Sequence, residues 1–163
     1  YWRDWSSDVC SSDLKNENKK IENEPEKKFL KSNFKCTTNP GMLVLIDQVK
    51  ENINNKKFEL VDARSRGRFN GTENEPRPDL KSGSIPKSCN MPWVECIDPV
   101  TKCFLSKDQL QKKFDEININ KNSNVVFSCG SGVTACILAK AFEIIDGKKF
   151  SVYDGSWTEW ASQ

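Results

Sequence analysis

The sequence predicts an α/β domain built around a parallel sheet. Three observations carry that reading. Apolar runs at 58–62, 124–128 and 150–153 have strand length and polar flanks. Helix-spaced apolar patterns alternate with them, the order expected of a parallel sheet with crossover helices. At 163 residues with 36% hydrophobic content, the chain can build one modest core.

The elements follow in chain order. The chain opens on Tyr1 rather than Met, which reads as a fragment or a processed product. Residues 1–14, YWRDWSSDVCSSDL, hold two of the five Trp residues in a Ser/Asp context unlike the remainder. They look like translated adapter or vector sequence and are set aside. Residues 15–39 are expected to be a disordered linker. Across 15–33 Lys, Glu and Asn leave almost no apolar anchors to offset ordering entropy, and no apolar stretch of signal-peptide length occurs there. Order is expected to begin near Phe34 to Thr38, with the domain spanning 40–163 and Thr38-Asn39-Pro40 able to open a helix.

Met42, Leu43, Leu45, Ile46 and Val49 fit a helix ending before Asn54-Asn55. Phe58 to Asp62 reads as a buried strand followed by a long polar loop, and Ser88 to Met91 as a further short strand. Ser106 is placed to cap a helix over 107–116, with Leu110 and Phe114 facing inward and Asp108 near the positive end. Asn124 to Ser128 is a strand, Thr134 to Ile145 a helix, and Phe150 to Tyr153 a strand. Trp157 and Trp160 fall on a last helical turn.

Composition removes several function classes. No apolar run approaches the ~18 residues of a membrane-spanning helix. With 25 basic against 23 acidic residues, nothing favours a nucleic-acid partner. Histidine is absent, which excludes imidazole acid/base catalysis and most zinc sites, so neither a metal nor a cofactor is expected. Seven cysteines, an odd number without a C-x-x-C pair, point to free thiols in a reducing compartment. Most of them, Cys89 and Cys136 included, are expected to be buried packing.

The chemistry concentrates in Val125-Val126-Phe127-Ser128-Cys129-Gly130-Ser131-Gly132-Val133-Thr134-Ala135. A strand runs into a cysteine, a glycine-rich turn and a helix, which puts the thiol in the crevice at the carboxyl edge of the sheet. The glycines let the backbone curl so that several N–H groups converge beside a helix N-terminus, a field that favours an anion and hence a thiolate. Cys129 is therefore a candidate nucleophile; the alternative is a packed cysteine ending a core strand. Four of only five arginines fall at 64, 66, 68 and 77, in a chain with 20 lysines. Arginine offers a bidentate fork for an oxyanion that lysine lacks. Arg68 and Arg77, on the loop leaving the first strand, can reach the same crevice. The competing role, strongest for Arg64, is a structural ion pair with Asp62, Glu73, Glu75 or Asp79. A cysteine phosphatase would need Arg where Ala135 stands, and a cysteine protease would need a histidine base.

In these residues the chain resembles the C-terminal, catalytic domain of the thiosulfate/3-mercaptopyruvate sulfurtransferases, a rhodanese-fold family. The matching stretches are Leu60 to Arg64, Gly67-Arg68-Phe69, Gly71-Thr72-Glu73 with Glu75-Pro76-Arg77, Cys129 to Ala135, and Tyr153 to Trp160. They occur in family order over about three quarters of the chain. The resemblance implies a rhodanese-like, five-stranded parallel sheet flanked by helices. It also implies a persulfide on Cys129, a cradle from Gly130, Ser131, Gly132, Val133 and Thr134, and a donor carboxylate held by Arg68 and Arg77. The Gly130-Ser131 form of the loop is similar to mercaptopyruvate enzymes rather than thiosulfate-preferring ones. Gly155 to Trp160 matches an end-of-domain signature that reads as packing, and Ser84 stands where the family usually has His.

A thioredoxin-like protein or a small thiol would accept the sulfur, in the cytoplasm or the mitochondrion. Residues 1–40 are too few for the N-terminal rhodanese-like domain of the full-length enzymes, so the chain reads as a truncated product or a single-domain relative. The rival to a sulfurtransferase is a rhodanese-fold interaction module that no longer turns over.

Overall fold

The computed structural model describes Asn18, residues 32–37 and residues 39–163. The adapter-like stretch 1–14, most of the expected linker, and Thr38 lie outside the described residues. The sheet, helices and cleft described below belong to one compact unit, Thr38–Gln163.

Five parallel strands form a single sheet in the order β1-β5-β4-β2-β3: β1 Leu43–Val44, β2 Glu59–Asp62, β3 Cys89–Asn90, β4 Asn124–Ser128 and β5 Lys149–Tyr153. The helices are α1 Ile46–Asn55, α2 Arg66–Asn70, α3 Lys107–Glu116, α4 Ala135–Ile144 and α5 Ser156–Ala161. The expected α/β architecture with a parallel five-stranded sheet is the one observed.

The pleat of β4 divides the core in two. Val125 and Phe127 face one side, where Phe127 meets Phe114 of α3 and Phe142 of α4 edge-to-face at 6.3 and 5.8 Å. Val126 faces the other side with Leu60, Val44, Val49, Tyr153 and Trp157. Both faces are apolar because crossover helices and loops cover both. Helix α3 starts at Ser106, whose hydroxyl accepts the Gln109 N–H, while the Gln109 side chain accepts the Ser106 N–H at 3.0 Å. Leu110 and Phe114 are fully buried on its inner face, as expected.

Three local expectations are corrected. Met42 and Leu43 do not belong to the first helix. Asn39 caps a short 3-10 turn over Pro40–Met42, and Leu43–Val44 then pair with Val152 and Tyr153 at the sheet edge. Helix α1 begins only at Ile46 and continues through Asn55, closing on Lys56 in the left-handed region. The polar loop after β2 opens with helix α2, capped by the Ser65 hydroxyl and terminated by Gly71 at φ 76°.

Candidate active site

Register places Cys129. Asp62 at the end of β2 is level with Ser128 of β4, so Cys129 is the first residue beyond the central strand at the carboxyl edge. From β4 the chain turns toward β5, whereas β2 leads to β3, which makes this the switch point where ligand crevices form in parallel sheets. Cys129 is 2% exposed and is one of the residues that line a cleft of about 220 Å³.

The loop after Cys129 curls around the sulfur. The Ser131 N–H donates to Cys129 Sγ at 3.4 Å. Among the described residues, the N–H groups of Gly130, Gly132, Val133 and Thr134 have no protein acceptor, and α4 starts next at Ala135 without a side-chain cap. That is an anion cradle of backbone donors at a helix start. Gly132 has φ 82°, and a Cβ there would lie 3.0 Å from the carbonyl oxygen of Asp154, so this turn requires glycine. Gly130 is constrained differently: a Cβ there would come within 2.9 Å of Arg68 Nη2 and would have to displace that guanidinium.

Helix α5 fixes the loop from behind. The buried Ser156 hydroxyl accepts the Cys129 N–H at 3.1 Å and donates to the Tyr153 carbonyl at 2.8 Å. The Trp157 N–H donates to the Cys129 carbonyl at 2.9 Å, and the Thr158 hydroxyl to the Gly130 carbonyl at 2.6 Å. Tyr153 donates to the Glu159 carboxylate at 2.8 Å. Burial, then that carboxylate, raises the Tyr153 pKa and keeps the phenol protonated.

The arginines separate into distinct roles. Arg64 is wholly buried, bonded to Asp62 through Nη2 at 2.7 Å and to Glu75 through Nη1 at 2.7 Å, with its guanidinium carbon 4.5 Å from the centre of a Trp157 ring. It is a structural ion pair. Arg68, on α2, lines the cleft and donates through Nη2 and Nε to the Glu75 carboxylate at 2.5 and 3.1 Å. Burial pushes the Glu75 pKa up. The hydrogen bond and charge of Arg68, with Arg64 behind, outweigh it and hold the carboxyl below the ordinary range. Arg77 also lines the cleft and makes no salt bridge among the described residues.

The family model of the rhodanese-like domain matches residues 45–163. The chain belongs to the rhodanese-like domain family. It is 40% identical over 130 residues to the mitochondrial thiosulfate/3-mercaptopyruvate sulfurtransferase 1 of Arabidopsis thaliana, covering 80% of this chain and 34% of that protein. It is 35% identical over 134 residues to the human 3-mercaptopyruvate sulfurtransferase, covering 78% and 42%. Among solved structures, SseA of Escherichia coli, described as a 3-mercaptopyruvate sulfotransferase with the rhodanese fold, superposes with a TM-score of 0.73. The identity there is 26%, over 90% of this chain and 53% of that one. The chain thus spans between about a third and just over half of the length of these relatives.

The rhodanese domain brings the sequence-derived site residues to one cleft: Cys129, Arg68, Arg77, Gly130, Ser131, Val133 and Thr134 line it, and Gly132 forms the turn beneath. Two expectations about thiols fail. Cys136 is exposed, on the solvent side of the first turn of α4, and of the six described cysteines Cys36 and Cys103 are exposed too. Cys89 and Cys96 do pack into the core. Burial, with lesser contributions from Glu59 and Glu95 respectively, pushes their pKa values up to about 11 and 12, so both stay as unreactive thiols. Sequence reasoning missed the hydrogen-bonding service of Ser156, Trp157 and Thr158, a signature read as packing alone. It also left open which of four acids meets the arginines, and the answer is Asp62 and Glu75.

Proposed function

We propose that this rhodanese domain is a sulfurtransferase that moves a sulfane sulfur from 3-mercaptopyruvate, or from thiosulfate, to a thiol acceptor through a persulfide on Cys129. The observation that carries the reading is Cys129 lining a cleft together with Arg68 and Arg77, with a backbone N–H directed at its sulfur. The curated relatives, named as sulfurtransferases, support it.

The Cys129 thiolate attacks the thiol sulfur of 3-mercaptopyruvate. A sulfur–sulfur bond forms as the carbon–sulfur bond breaks, the electron pair leaves as the enolate, and the thiol proton passes to its carbon to give pyruvate. The terminal persulfide sulfur carries the negative charge into the cradle of Gly130 to Thr134, where fixed N–H dipoles need no reorganisation. Arg77 and Arg68 hold the donor carboxylate. A thioredoxin-like protein or a small thiol then takes the outer sulfur and restores the thiolate, chemistry that suits a reducing compartment such as the cytoplasm or the mitochondrion.

Intact-mass measurement after incubation with 3-mercaptopyruvate tests the reading. The expected result is a gain of one sulfur atom that dithiothreitol removes. No gain with either donor would contradict it and favour the interaction module.

A further inference from the structure

The peptide that joins Gly130 to Ser131 is held on both sides. Its N–H donates to the Cys129 sulfur at 3.4 Å, the one directed donor to that sulfur among the described residues. Its carbonyl oxygen accepts two hydrogen bonds from Thr158, from the backbone N–H at 3.0 Å and from the side-chain hydroxyl at 2.6 Å. In a trans peptide the carbonyl and the N–H point in opposite directions. Fixing the oxygen on Thr158 therefore aims the hydrogen at Cys129. Hydrogen bonds on the carbonyl also polarise the amide, which makes its N–H a stronger donor. Thr158 is half-buried and lines the same cleft as Cys129 and Gly130.

We infer that Thr158 is a positioning residue for Cys129: its hydroxyl locks the Gly130–Ser131 peptide so that the Ser131 N–H stabilises the thiolate. The inference rests on the reading of Cys129 as the sulfur-carrying nucleophile. A thiolate gains more from a directed N–H than a thiol does, so weakening that bond makes the proton harder to remove. The charged groups around Cys129 are Arg68 on α2, Glu75 and Arg77 on the loop that follows, and Asp154 beside the Gly132 turn. Thr158 is neutral, so replacing it by valine leaves every one of these charges in place. An altered titration in that variant then reports the hydrogen bond rather than a changed field.

The pH profile of Cys129 alkylation by iodoacetamide tests this in the whole chain and needs no sulfur donor. Mass spectrometry of the peptide containing Cys129 separates its labelling from that of the exposed thiols. The native protein is compared with Thr158→Val, which keeps the shape, and with Thr158→Ser, which keeps the hydroxyl. Thr158→Val should move the profile to higher pH by about half a unit, read at neutral pH as alkylation about threefold slower. Thr158→Ser should follow the native profile. A merely structural role would change the unfolding midpoint or the plateau rate at high pH and leave the midpoint of the profile in place. An unmoved profile in folded Thr158→Val overturns the inference. An equal shift in Thr158→Ser overturns it as well, because the methyl group would then be responsible. Should Thr158→Val fail to fold, Thr158→Ala removes the hydroxyl without adding bulk and is judged by the same outcomes. Absence of sulfur loading combined with the expected shift would refute the sulfurtransferase reading alone.

Discussion

The guanidinium of Arg68 lies against the backbone of Gly130, so close that a methyl group on residue 130 would sit 2.9 Å from Nη2. Arg68 cannot easily withdraw, because Glu75 grips it through both carboxylate oxygens. Gly130→Ala should therefore displace Arg68 and loosen a charge-assisted pair, on the order of 1.5–3 kcal/mol. Thermal unfolding should report a midpoint several degrees lower, and donor turnover should fall about tenfold or more. A midpoint and turnover like those of the native protein would mean that the loop moves to absorb the methyl group.

Arg68→Lys and Arg77→Lys should differ in stability although both lose the bidentate fork. Donor kcat/KM should fall in each by roughly one to two orders of magnitude, the scale of one charged hydrogen bond. Only Arg68→Lys should lower the unfolding midpoint, since only Arg68 is tied to a buried carboxylate. Equal midpoints for the two variants would remove the distinction between them.

Acid should weaken the fold through Glu75. Its carboxyl titrates lower in the folded chain than in the unfolded one, so the unfolded state takes up the proton first as pH falls. The stabilisation is complete above the ordinary glutamate range of about 4.3 and is lost as pH drops through the folded value. Urea midpoints measured from about pH 6 to pH 3 should decline on the acid side, and Glu75→Gln should flatten that limb. An identical decline in both proteins would assign it to other carboxylates.

Ser156→Ala should leave the buried Cys129 N–H without an acceptor, at a cost of about 1–3 kcal/mol. The damage should appear twice, as a lower unfolding midpoint and as slower alkylation of a less well held Cys129. Unchanged values for both would mean that the Trp157 and Thr158 hydrogen bonds hold the loop unaided.

The sequence shows those parts of the molecule whose identity is local. Strand β4 is legible because Val125 to Phe127 is an apolar run bounded by Asn124 and the Cys129-Gly130 turn. Helix α3 is legible because Ser106 and Gln109 have the spacing of a capping box. Strand β1 has two residues and owes its form to pairing with Val152 and Tyr153, more than a hundred positions away in the chain. No periodicity can announce it. Helix α2 has five residues and no inward stripe, yet Ser65 and Gly71 mark its two ends and could have been read as caps. At the site, the spacing around Cys129 and the scarcity of arginine single out residues that the fold brings to one cleft. What the sequence does not resolve is pairing: which acid reaches which arginine depends on how residues 71–83 fold back over α2, where the Gly83 N–H donates to the Arg68 carbonyl at 3.2 Å.

Peptide-level mass spectrometry after loading with 3-mercaptopyruvate tests the central claim most directly, with Cys129→Ser compared against the native chain. The native protein should carry the extra sulfur on the peptide containing Cys129 and lose it to dithiothreitol. Cys129→Ser should fold with a similar midpoint and carry none, because a serine hydroxyl has no imidazole base here to activate it. Sulfur found on Cys136 or another exposed thiol, or retained in Cys129→Ser, would contradict the assignment of Cys129 as the nucleophile.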